Sequence, residues 1–215
     1  MNKLKLIAMG ISISIILLLL GGCNKENLRG SVSKVEKQSV FGTTIDSVYE
    51  NKFIGIGCKL PSDWKFYTDE EIEKINGFAK ETLDKDTVEA MESVEIIYDM
   101  YAYSSDGSSN INVTLERKTA SQLKKMDLDE VMVNVLERVE DAYKNAGFTN
   151  FSGEIVEIEI DDKKFVGGKT TVTNGPNKIC QKQILIKCDQ YVASVTVTAG
   201  SHNTVDNLLK GFYLV

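Results

Sequence analysis

Four consecutive strand candidates in the carboxyl-terminal half place the tightest constraint on what this chain can fold into. They span residues 153–160, 164–173, 178–188 and 191–199. Only two to four residues join each segment to the next, and a parallel crossover needs a dozen or more. The segments are therefore predicted to be neighbouring strands of an antiparallel meander. Within the second strand, Gly167 and Gly168 indicate a bulge or a close backbone approach.

A further hairpin is predicted from residues 94–104 and 110–118, joined by a turn-rich loop. Alternate side chains of its second arm are apolar: Ile111, Val113 and Leu115. The side chains between them are polar: Asn112, Thr114 and Glu116. Because strand side chains alternate between faces, we expect one face to be buried and the other wet. In the first arm, Tyr98, Met100, Tyr101 and Tyr103 alternate too irregularly to assign faces.

A long amphipathic helix is predicted between the hairpin and the meander. Asp127 is placed to cap its first turn, with Glu130 in the capping-box position, and Gly147 ends it. Its apolar side chains fall at helical spacing: Leu128, Val131, Met132, Val135, Leu136, Val139, Ala142, Tyr143 and Ala146. We expect this stripe to pack on the sheet. A short final helix, capped by Asn203, carries Phe212 on its inner face.

The part of the domain before residue 94 contains further strands and helices. A weak strand pattern covers residues 41–50, and alternation predicts a strand over residues 52–60, with one apolar face formed by Ile54, Ile56, Cys58 and Leu60. Thr68 and Glu71 then form a capping box at a helix start. Strands and helices segregated in this way predict an α+β fold, an antiparallel sheet flanked by helices.

The first 22 residues have the organisation of a bacterial lipoprotein signal. Two lysines precede an apolar stretch, and Leu20-Gly21-Gly22-Cys23 places small residues before a cysteine. The alternative is an uncleaved transmembrane helix, but residues 6–22 reach only about 25 Å, short of the ~30 Å hydrocarbon core. We predict a signal peptide at residues 1–22, lipidation of Cys23, and a chain held on the extracytoplasmic face of the cell membrane.

Residues 23–40 are polar and without periodicity, which predicts a lipidated tether before a single domain at residues 41–215. Residues 1–22 contain two lysines and no acid, so the remaining chain keeps 23 basic and 31 acidic side chains and a net charge of −8. Such a surface is repelled by phosphate backbones and by anionic headgroups, which argues against nucleic acid as a partner. We expect the lipid, rather than the surface charge, to hold the chain at the membrane.

The cysteines and the single histidine do not form a recognisable metal or cofactor site. Cys180 and Cys188 lie roughly 26 Å apart on one predicted strand, whereas a disulfide needs Cα atoms within ~7 Å. A disulfide between Cys58 and either of them is one alternative. The other alternative, which the sequence favours, is that these cysteines are buried free thiols. With His202, the cysteines show no zinc-ligand spacing, so no metal and no cofactor is predicted.

Residues 48–80 resemble a family of small lipoproteins and secreted proteins of Gram-positive bacteria. The resemblance is carried by Tyr49-Glu50-Asn51, Gly55-Ile56, Leu60-Pro61-Ser62-Asp63-Trp64 and a helix start at Thr68-Asp69-Glu70-Glu71. It implies a PsbP-like fold, an antiparallel sheet flanked by helices. The family offers no catalytic residues to carry over, and plant proteins of this fold are non-enzymatic accessory subunits of photosystem II. The resemblance therefore implies a binding or scaffolding module.

Trp64 and Tyr67 are the candidate ligand contacts, because aromatic rings at a strand-to-helix corner can stack on a ligand. For Trp64 the favoured alternative is a side chain that plugs the core. The acids between Asp69 and Glu89 lack the ligand spacing of a calcium loop, which favours a solvated helix start.

These observations predict a membrane-anchored module that is not an enzyme. Its expected partner is another envelope protein or a small ligand held between sheet and helix. One alternative is a chaperone-like assembly factor for a membrane complex. Another is an unrecognised hydrolase, which a pocket containing His202 beside a carboxylate or a thiol would favour.

Overall fold

The computed structural model describes residues 40–68, 70–71 and 96–215. Its strands in chain order are β1 (Thr43–Ile45), β2 (Val48–Asn51), β3 (Ile56–Lys59), β4 (Lys65–Phe66), β5 (Ile96–Tyr103), β6 (Asn110–Arg117), β7 (Asn150–Ile160), β8 (Lys163–Asn174), β9 (Asn177–Cys188), β10 (Tyr191–Ala199) and β11 (Phe212–Leu214). Its helices are α1 (Ala120–Lys125), α2 (Leu128–Asn145) and α3 (His202–Leu209).

The strands of this described part form two antiparallel sheets. The smaller sheet has the order β1-β2-β3-β11, and the larger has the order β4-β5-β6-β10-β9-β8-β7. The predicted meander is confirmed, because β7 to β10 pair in sequence, and so is the β5–β6 hairpin. The two sheets and their helices confirm the α+β class.

The core lies on both faces of the larger sheet. On one face, which we call the apolar face, Ile111, Val113 and Leu115 pack with Ile56 and Cys58 of the smaller sheet. On the opposite face α2 packs its predicted stripe, chiefly the buried side chains of Met132, Val135, Val139, Ala142 and Tyr143. Asp127 caps this helix as predicted, and its side chain accepts from the Asp129 N–H.

Glycine lets α2 approach the sheet closely. A Cβ on Gly168 would lie 2.6 Å from Sδ of Met132, and one on Gly167 would lie 2.7 Å from the Gln183 carbonyl oxygen. The pairing of β8 with β7 is continuous through these glycines, and the pairing of β8 with β9 begins at Gly167 without a register shift. Of the two explanations predicted for Gly167 and Gly168, a close approach is therefore the one observed.

Several element boundaries differ from the predictions. Ser201, rather than Asn203, caps α3, because its hydroxyl accepts from the Thr204 N–H. Phe212 lies in β11 and pairs with Cys58, so it extends the smaller sheet. Helix α1 was not predicted, although Thr119 and Gln122 form a capping box at its start.

The capping box between Thr68 and Glu71 is present, with reciprocal hydrogen bonds between side chains and backbone. The rest of that predicted helix, with its acids from Glu73 to Glu89, lies outside the described residues.

The signal peptide, Cys23 and most of the predicted tether also lie outside the described residues. Val40, the last tether residue, is buried, and its carbonyl accepts from the Asn51 side chain.

Asp99 joins the two sheets. It lies at a register shift between Tyr98 and Met100, where β5 carries one residue more than β6. Its carboxylate accepts hydrogen bonds from the Tyr49 hydroxyl, from the Asn51 amide at 2.7 Å and from the Gly42 N–H at 2.8 Å. Burial raises the pKa of Asp99, and these three donors oppose that rise.

Replacing Asp99 should destabilise the protein strongly. In Asp99→Ala the three donors lose their acceptor, so the free energy of unfolding should fall by about 3 kcal/mol or more. Tyr49→Phe removes one donor and should cost about 1.5 to 3 kcal/mol. Denaturant unfolding measures both values.

The matched control is Asp63→Ala, an exposed aspartate that accepts from the Ser105 hydroxyl. It should change the free energy of unfolding by about 0.5 kcal/mol or less. Equal effects at Asp99 and Asp63 would contradict a linking role for Asp99.

Candidate functional site

The polar side chains of β6 are buried rather than wet. Asn112, Thr114 and Glu116 expose only 0%, 1% and 2% of their surface, so the expectation of a solvated face was wrong. The predicted alternation is confirmed, because Ile111, Val113 and Leu115 lie on the apolar face. Alternation shows which side chains of β6 share a face and not what covers that face, so the sequence pattern did not predict this burial.

The polar set continues across neighbouring strands. In the register, Asn112 lies opposite Thr196 of β10, and Thr196 lies opposite Gln183 of β9. Directly opposed residues of antiparallel strands share a face. We call the resulting buried surface the polar face, formed by Asn110, Asn112, Thr114, Glu116, Gln181, Gln183, Ser194, Thr196 and Thr198.

Part of the polar face is satisfied internally. The Gln183 amide donates to the Ser194 hydroxyl at 2.9 Å, and the Gln181 amide donates to the Thr198 hydroxyl at 3.0 Å. These bonds run between β9 and β10. They fix the glutamine side chains on one flank of the polar face.

The centre of the polar face keeps unused hydrogen-bonding capacity. Within the described part of the chain, no partner meets the Asn112 side-chain oxygen or nitrogen, or the hydroxyls of Thr114 and Thr196. A buried polar group without a partner costs about 1 to 3 kcal/mol. A bound molecule or ordered water that supplied those partners would recover this cost.

A buried ion pair closes one end of the polar face. The Lys118 ammonium donates to one carboxylate oxygen of Glu116, and the two side chains expose 5% and 2% of their surface. Burial raises the pKa of Glu116 to about 7, although Lys118 and the charge of Arg138 oppose the rise. An open cleft of about 550 Å³ reaches Lys118 from the surface, between Thr119 and Gln190.

Tyrosines line the other flank of the polar face. The β5 register places Tyr98 opposite Thr114 and Tyr101 opposite Asn112. The extra residue at Asp99 explains why the spacing of these tyrosines is irregular in the sequence. Tyr67 packs against the rings of Tyr101 and Tyr103, with centroids 4.8 and 4.3 Å apart. Burial raises the pKa of Tyr67 to about 12.

The two aromatic residues selected from the sequence therefore lie in different surroundings. Tyr67 joins the tyrosines at the polar face, whereas Trp64 packs against the core on the apolar face. The residues that sequence reasoning did not select are those of β9 and β10. The alternation of Ser194, Thr196 and Thr198 in a strand beside β6 is the signal that could have found them.

His202 lies away from the polar face, beside a hydroxyl and a thiol. Its Nε2 is 2.7 Å from the Thr171 hydroxyl, and Thr171 lies opposite Cys180 in the register. Cys180 is completely buried, and burial raises the pKa of its thiol. Burial and the nearby charge of Lys169 lower the pKa of His202. A protonated, inaccessible thiol is a poor nucleophile.

Cys58, Cys180 and Cys188 are all free thiols. Residues 40–68, 70–71 and 96–215 contain no group of three or more histidine, cysteine, aspartate or glutamate residues that could hold a metal ion. Across the same ranges, none of the helices combines the length and the apolar character needed to span a bilayer.

No protein-family model matches this sequence, and no curated protein matches it. Among solved structures, the chain is similar to cyanobacterial PsbP (CyanoP) from Synechocystis sp. PCC 6803, with 13% identity and a TM-score of 0.47 over 87% of this chain and 99% of that one. It is also similar to LpqN of Mycobacterium tuberculosis, described as involved in cell envelope biogenesis, with 11% identity and a TM-score of 0.40 over 74% and 83%. Similarities of this size identify neither a ligand nor a partner.

Glu116→Gln should remove one source of pH dependence. The pKa of Glu116 is raised from 4.5 to about 7 in the folded protein, so the folded state binds its proton more tightly than the unfolded state does. The stabilising contribution is complete below about pH 4.5 and is lost as the pH rises through about 7. Relative to Glu116→Gln, the wild type should lose on the order of 3 kcal/mol across that range.

Denaturant unfolding at a series of pH values measures this difference. The control is Glu157→Gln, because Glu157 pairs with Lys164 at the surface. Its difference from the wild type should stay constant across the same range. A constant difference for Glu116→Gln would contradict the assignment of Glu116 as a buried, proton-binding group.

Proposed function

We propose that this chain is a lipid-anchored binding module of the cell envelope that holds a small ligand against the polar face and does not catalyse a reaction. One observation carries the proposal: Asn112, Thr114 and Thr196 are buried, and their polar side-chain atoms meet no partner among the described residues. Natural proteins accept such a cost mainly where function requires it.

Two further observations support the proposal. The lipoprotein signal and Cys23 favour an anchored protein on the extracytoplasmic face, and residues 48–80 resemble small Gram-positive lipoproteins. The burial and raised pKa of Cys180 argue against thiol catalysis with His202. The polar face offers hydrogen bonds to a ligand without an activated nucleophile.

The anchor is tested by Cys23→Ala. The lipid on Cys23 is expected to keep the wild-type protein in the membrane fraction, and Cys23→Ala should lose its acyl chains and leave that fraction. Fractionation of cells and intact mass measure both effects. Cys58→Ala is the matched control and should stay lipidated. Equal membrane retention of the two variants would contradict the anchor.

The ligand is tested by native mass spectrometry of the full-length protein extracted from membranes in a mild detergent. The wild type should carry an added mass that denaturation releases. Thr196→Val, which removes one hydroxyl from the polar face, should lose that mass. Thr149→Val, a hydroxyl deletion at an exposed position, should keep it. A wild-type spectrum with the lipidated polypeptide alone would contradict the proposal.

A further inference from the structure

The polar face can both donate and accept hydrogen bonds at the same point. The Asn112 amide supplies donors and an acceptor, and the hydroxyls of Thr114 and Thr196 can do either. Thr196 lies opposite Asn112, and Thr114 follows two residues along the same face. A ligand that matches this arrangement carries several groups that also donate and accept, as hydroxyl groups do.

The groups of Asn112, Thr114 and Thr196 that lack a partner are an amide and two hydroxyls, so they carry no charge. Lys118 is a cation at one end of the polar face, and it is bonded to Glu116. An entering phosphate or carboxylate would compete with Glu116 for this cation. A neutral ligand avoids this competition.

The tyrosine flank adds a surface of a different kind. Tyr98 and Tyr101 lie beside Thr114 and Asn112, and Tyr67 packs on Tyr101. Aromatic faces bind apolar C–H surface, and polar groups placed beside them orient the ligand. Sugar rings combine C–H faces with hydroxyl groups around their edges. An acyl chain has no groups to satisfy Asn112, Thr114 and Thr196.

The extent of the polar face limits the size of the ligand. Three strand spacings separate β5 from β9, which is about 14 Å across the sheet. Along β6, Asn112 and Glu116 lie about 13 Å apart. The side chains of this area expose 5% or less of their surface, so a ligand held there is enclosed by the protein and is no larger than one or two sugar rings.

We infer that the polar face binds a neutral saccharide, with Asn112, Thr114 and Thr196 bonding its hydroxyl or amide groups and the tyrosine flank covering a ring. This inference rests on the proposed binding function. It adds the chemical class of the ligand.

The inference is tested by calorimetric titration of the full-length protein in a detergent without a sugar headgroup. The saccharide probes are maltose and N-acetylglucosamine, and the comparison probes are inorganic phosphate and palmitate. The wild type should bind at least one saccharide. Thr196→Val and Tyr67→Ala should each weaken that binding by about tenfold or more. Thr149→Val should bind as the wild type does.

Tyr67 is only half-buried, so Tyr67→Ala gives a reading even if Thr196→Val fails to fold. Saccharide binding that both variants leave unchanged would place the sugar elsewhere and overturn the inference. If only phosphate or palmitate binds, and Thr196→Val loses that binding, the assignment of a saccharide ligand is overturned and the proposed binding function is kept. If no probe binds, the assignment of a saccharide ligand is overturned. Native mass spectrometry of the membrane-extracted protein then tests the binding function separately.

Discussion

Burial of the inner strands on both faces is the constraint on which this structure depends. A strand presents alternate side chains to opposite faces, so β6 and β10 must fill two different environments with one sequence. On the apolar face, Val113 and Val195 pack in the core shared with the smaller sheet. On the polar face, Asn112 and Thr196 occupy positions of equal burial. At these positions the fold therefore gains stability on the apolar face and accepts a cost on the polar face.

Two other regions offset that cost. The first is the α2 layer over β7 and β8, where Gly168 lets Met132 approach the sheet closely. The second is the junction at Asp99, whose carboxylate binds Tyr49 and Asn51 of the smaller sheet. The α2 layer lies on the same face of the larger sheet as Thr196, and Asp99 lies on β5, beside Tyr98. Stability supplied by these neighbouring regions lets the polar face keep polar groups that packing alone would replace.

Short connectors and periodic patterns made the larger part of the fold predictable. The meander, the α2 cap at Asp127 and the α+β class follow from local rules about turn length and helix capping. The burial of Thr114 did not follow, because alternation shows which side chains share a face and not what covers it. The pairing of β6 with β10 brings distant segments together, and no local signal marks it. The extra residue at Asp99 makes the spacing of the β5 tyrosines irregular in the sequence, so of the tyrosine flank only Tyr67 was selected as a candidate ligand contact.

The central claim is that the polar face serves a ligand and not the stability of the fold. The most direct measurement is the free energy of unfolding of a Thr114→Val/Thr196→Val variant, compared with the wild type after both have been refolded free of ligand. Valine keeps the shape of threonine and removes the hydroxyl that lacks a partner. The account predicts a free energy of unfolding that is unchanged or higher by about 1 kcal/mol. A decrease of more than about 1 kcal/mol would show that the hydroxyls support the fold, and would contradict the account.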